Sequence, residues 1–155
     1  MSTFTDSPFL PAAEKRRVLT EWHRFLQTLA RRLADRHRCF RAFPNALYNH
    51  LIQHCSFIAH YNRSGFFAHY FDHGDGALRF LRQFDAASNP LGTSTEYGDS
   101  WWLSGEYRDI NEAMREVAAP LLPAIRAEAS EDQRRQDLAR ARRLAARHGL
   151  SLSAR

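Results

Sequence analysis

Pro11 to Arg38, PAAEKRRVLTEWHRFLQTLARRLADRHR, is the stretch that decides the fold class. Val18, Trp22, Phe25, Leu29 and Leu33 recur at three- and four-residue steps, with Leu19, Leu26 and Ala30 beside them. That spacing is the apolar stripe of a long amphipathic helix, expected to run from Pro11 to about Arg38. Its other face carries Arg17, Arg24, Arg31 and Arg38 at heptad spacing, with Glu14, Glu21 and Asp35 placed to pair with them. The face therefore reads either as an ordinary solvated surface or as a docking strip.

Outward from this helix, Cys39, Phe40 and Phe43 lead to Pro44, which suits a helix first turn and not an interior. A second helix is expected from Asn45 to Tyr61, its apolar side formed by Leu47, Leu51, Cys55 and Ile58. Advancing about 100° per residue puts His54 near the middle of that arc, His50 on its flank and His60 on the polar side, so His54 is expected to be buried. Asn62-Arg-Ser-Gly65 reads as a helix stop. Phe66 to Phe71 forms a short aromatic helix ending at His73-Gly-Asp-Gly76, and Asp75 caps another through Leu78, Leu81 and Phe84. Eleven of the nineteen aromatics lie between Phe40 and Phe84, which centres the core there.

Residues 85–105 show no periodicity and read as one long irregular loop, with Trp101 and Trp102 at its far end as anchors or as part of a contact surface. Ser104 opens a helix with the stripe Tyr107, Ile110, Met114, Val117 and Leu121, interrupted or kinked by Pro120 and Pro123. Ser130 with Gln133 matches a capping box, so a peripheral basic helix is expected over 130–148, stopped by Gly149. Its apolar stripe, Leu138, Ala141 and Ala145, is thin. With no convincing alternation anywhere, the expectation is one all-α domain over 1–155 of about five or six helices, with residues 1–10 a flexible arm. A chain of this length buries about two thirds of its unfolded surface, so a core forms without disulfides or a structural metal.

Cys39 and Cys55 are too few for a disulfide framework and lack zinc-finger spacing. The first residues show no basic region followed by an apolar one, and Ala42 to Asn62 is too polar for hydrocarbon. A cytoplasmic protein that does not enter a membrane is expected. The net charge of +5 is unevenly placed: +5 over residues 1–43, −4 over 44–125 and +4 over 126–155. The basic excess thus sits at the two ends, around an acidic, aromatic centre holding five of the eight histidines. In the last helix Arg140, Arg143 and Arg147 share one face opposite Leu138, spanning roughly 10 Å, a row able to follow a phosphate backbone.

The sharpest chemical feature is the pairing of His50 with His54 and of His69 with His73, each four residues apart. On neighbouring helices the four imidazoles would converge as metal ligands, with Asp72 or Asp75 in support. The second helix contains no Asp or Glu and there is no HExxH motif, so no metal and no cofactor is expected. Arg63-Ser-Gly-Phe-Phe-Ala-His69 also resembles the HEPN family of all-α ribonucleases, whose Arg and His are separated by four to six residues. The resemblance covers seven residues, and Arg32 with His37 matches the same spacing. It implies that Arg63 and His69 act on an RNA phosphate and its 2′-hydroxyl; in an enzymatic reading His54 is the further candidate catalytic residue. Three readings stand at this point. The first is a non-enzymatic interaction module whose Arg faces engage nucleic acid or a nucleic-acid-bound protein assembly, through Arg17, Arg24, Arg31, Arg140, Arg143, Arg147 and the two tryptophans. The second is a histidine-centred nuclease or hydrolase, HEPN-like or metal-assisted, and the third a homo-oligomeric protein-partner adaptor with no nucleic-acid role.

Overall fold

A computed structural model describes residues 4, 6, 10–55, 62–72, 74–90 and 107–150. Among these there are seven α-helices and no strand: α1 Ala12–Arg32, α2 Arg36–Arg41, α3 Asn45–His54, α4 Arg63–Phe71, α5 Gly74–Arg82, α6 Arg108–Ala118 and α7 Leu122–Arg147. The fold is all-α, with more helices than the five or six expected. None of the described helices is long and apolar enough to cross a membrane.

The extra helix comes from a break in the opening one. The helix expected to reach Arg38 stops at Arg32, because the Asp35 side chain accepts a hydrogen bond from the Arg38 amide at 3.1 Å and caps a new helix, α2. α3 ends at His54 instead of Tyr61, and residues 56–61 lie outside the described set. The sequence Asn62 to Gly65 is a start and not the expected stop: Asn62 Oδ1 accepts from the Gly65 amide at 2.8 Å and caps α4. α7 begins at Leu122 with proline in its first turn, so Ser130 and Gln133 sit inside a helix of 26 residues and cap nothing. Gly149 does end it, with φ +69.

α1 packs against α3, α6 and α7, and α5 against α4 and α7. One apolar core joins the helices. Trp22 is fully buried, donates from Nε1 to the Met114 carbonyl at 3.0 Å and lies 4.7 Å from the Phe84 ring. Phe25 meets Phe71 edge-on at 5.1 Å, and Phe43 stacks on Phe66 at 5.7 Å, so the aromatic run between Phe40 and Phe84 does form the centre. Lys15, the only lysine, is buried and paired with Asp109 at 2.9 Å, tying α1 to α6.

The start of the long loop is well anchored. Asp85 accepts hydrogen bonds from the Ala87 amide and the Ser88 hydroxyl, Asn89 donates to the Gln83 carbonyl, and Arg115 donates to the Asn89 carbonyl. Burial acts to raise the Asp85 carboxyl pKa, yet these donors and Arg126 at 2.6 Å hold it below the usual value. Residues 91–106, Trp101 and Trp102 among them, lie outside the described set, as do residues 1–3, 5 and 7–9 of the amino-terminal arm.

Candidate functional site

The histidine cluster is built around a residue that sequence reasoning passed over. Asn111 of α6 is fully buried, and its Nδ2 donates to the His54 carbonyl at 3.0 Å. That bond points Oδ1 at α3, where it lies 3.0 Å from His50 Nε2 and 3.4 Å from Cys55 Sγ. An amide oxygen only accepts, so neutral His50 carries its proton on Nε2. Burial, opposed by the Asn111 hydrogen bond and reinforced by neighbouring His54, pushes the His50 pKa down to about 4. Cys55 is buried, its pKa is raised by desolvation, and its proton goes to Asn111. The thiol is therefore held protonated, not activated as a nucleophile.

The expected roles of the two histidines exchange. His50, at 3% exposure, is the buried and hydrogen-bonded one. His54 is only half-buried, stacked on the Tyr107 ring at 3.8 Å with 18° between planes, and desolvation lowers its pKa. His54 is the last residue of α3, and its ring lies against Tyr107 just before α6. A surface pocket of about 320 Å³ between α1 and α3 is lined by Glu14, Arg17, Asn49, His50 and His54 among others.

Of the other proposed ligands, the described ones do not join this cluster. The His50 and His54 rings are 5.2 Å apart, His69 is exposed on α4 with its ring edge-on to Tyr70, and His73 lies outside the described residues. Among the described residues no group of three or more His, Cys, Asp or Glu could hold a metal ion. Arg63 is occupied structurally. Its guanidinium donates to the Phe40 and Phe43 carbonyls and lies 4.1 Å over the Phe40 ring, closing the end of α2.

The basic residues fall into two sets. Arg17 is held by Glu14 and Glu21, Arg38 by Asp35, Arg126 by Asp85, and Arg134 and Arg135 by Glu131. Arg24 and Arg31, exposed on the outer face of α1, have no carboxylate partner among the described residues, and neither do Arg140, Arg142, Arg143 and Arg147. Those four occupy a distinctive position. α7 is packed through Leu122, Ile125, Ala129 and Asp132, the last paired with Arg36 at 2.6 Å. From Asp137 to Leu150 every residue except Ala145 is exposed. The second half of α7 thus projects from the body for about 15 Å by helical rise. No family model, curated protein or solved structure matches this chain.

Proposed function

We propose that this chain is a small α-helical interaction module that engages nucleic acid through the projecting half of α7. The observation that carries the reading is the cluster of Arg140, Arg142, Arg143 and Arg147, exposed and without a carboxylate partner among the described residues, on the half of α7 that extends past its packed part. An arginine such as Arg17, Arg126 or Arg134 would have to leave a carboxylate before meeting a phosphate. These four exchange only water and counterions, and the release of condensed counterions favours the contact. Arginine is also suited to phosphate by its planar fork of donors. Arg24 and Arg31 add unpaired charge on α1.

The test is fluorescence anisotropy with labelled DNA and RNA oligonucleotides at low salt, comparing the native chain with Arg140→Glu/Arg143→Glu/Arg147→Glu. The native chain is expected to bind and the variant not to. Failure of the native chain to bind any oligonucleotide would contradict the reading. A protein partner or a second copy of the chain is favoured by a different observation, the exposure of Leu138 at 38% and Leu144 at 47% on the opposite side of the same helix. That reading predicts a concentration-dependent mass in sedimentation, lost in Leu138→Gln/Leu144→Gln.

A further inference from the structure

We infer that the nucleic acid is double-stranded DNA, with the projecting half of α7 lying in its major groove; the inference rests on the reading above. The width of the basic sector decides this. Taking Asp132 as the origin and about 100° per residue, Arg142 falls near 280°, while Arg143, Arg147 and Arg140 fall near 20°, 60° and 80°. The basic arc therefore spans about 160°, and the only acid beyond Asp132 on α7, Asp137, lies outside it near 140°. A flat surface or a single strand touches one narrow side of a helix. An arc this wide is engaged in full only by a groove with a phosphate wall on each side.

Ala139 and Ala146, near 340° and 320°, fall between Arg142 and the other three arginines and leave the centre of the arc free to approach a groove floor. A helix with its side chains is about 10–12 Å across, which matches the roughly 12 Å major groove of B-DNA. The major groove of A-form RNA is too narrow for it. No aromatic residue stands on α7, so the stacking that single-strand binders use is absent from this element.

The orientation of the arc adds to the argument. Its middle points in the same direction as Asp132, which faces α2 through Arg36. α2 and the end of α1 therefore lie on the side toward which the arc points, and they present exposed Arg31, Arg32 and His37. A duplex on that side would meet Arg31 and Arg32 as well as the arginines of α7.

The experiment compares one sequence as duplex DNA, duplex RNA and single-stranded DNA by anisotropy at matched salt, followed by competition with netropsin, a minor-groove ligand, and methyl green, a major-groove ligand. Duplex DNA is expected to bind about tenfold more tightly than the other two forms. Methyl green should displace the protein and netropsin should not. Arg142→Gln, which removes the free arginine on the far side of the arc, should lower the salt slope on duplex DNA by about 1. Equal or tighter binding to single strands or duplex RNA, displacement by netropsin alone, or an unchanged slope in that variant would each overturn the groove assignment and leave the nucleic-acid reading standing. Absence of binding to all three forms would remove both.

Discussion

Asn111 satisfies the buried His50 and Cys55 side chains and the partly buried His54 carbonyl with one side chain, and its loss deprives all three of that partner at once. Asn111→Ala leaves the His50 Nε2–H, the Cys55 thiol and the His54 carbonyl without that partner. The expected cost is about 2–4 kcal/mol, measured by urea denaturation at neutral pH; a variant within about 0.5 kcal/mol of native would show the network to be dispensable. His50 supplies a pH dependence. Its folded pKa of about 4 lies below the ordinary 6.5, so the unfolded chain binds the extra proton between those values. Stability from this group is complete above about pH 6.5 and is lost as pH falls toward 4, by up to about 3 kcal/mol. His50→Gln should be destabilised at pH 7 and lose less than the native chain between pH 7 and 4.5, a difference read from paired denaturation curves. Asn111 was visible in the sequence as an amide inside the Tyr107, Ile110, Met114 stripe. The exchange of His50 and His54 was not, because a helical wheel gives direction and says nothing of where the helix ends.

Helix existence was legible from apolar spacing, and helix ends were not, because the residues that start a helix also stop one. Asn62 to Gly65 shows this directly: an asparagine three residues before a glycine fits both a left-handed stop and a side-chain cap, and here it is the cap. Asp35 likewise turned one long helix into two. Ser130 and Gln133 resembled a start because cap residues also occur on exposed faces of helix interiors, whereas Pro123 in a first turn marked the true beginning of α7. The crossing of α5 and α7 depends on a contact that no periodicity announces. A Cβ at Gly74 would stand 2.8 Å from the Ala129 carbonyl oxygen and 3.2 Å from its Cβ. Gly74→Ala should therefore force the helices apart and cost about 1–3 kcal/mol, seen as a melting temperature lower by several degrees. An unchanged melting temperature would mean that the crossing yields freely.

At the scale of the whole molecule, the division of charge read from the sequence corresponds to a physical division of labour. The aromatic centre holds the core and the Asn111 network, while one basic end is the projecting half of α7. What the sequence left open was which arginines are free. Arg17 belongs to the same heptad row as Arg24 and Arg31, yet it is held by two glutamates beside the His50 pocket. Arg140, Arg143 and Arg147 could be placed on one helix face from spacing alone. That this face runs on from the packed side of α7 and leaves the domain became visible only with the start of α7 at Leu122 and the exposure beyond Asp137. The most direct measurement is the salt dependence of DNA affinity for the native chain and for Arg140→Gln/Arg143→Gln/Arg147→Gln, which keeps helix propensity while removing three charges from exposed sites. If these side chains contact phosphates, the slope of log affinity against log salt falls by about 3 in the variant, with folding stability unchanged to within about 0.5 kcal/mol. Equal slopes for the two proteins would contradict the account.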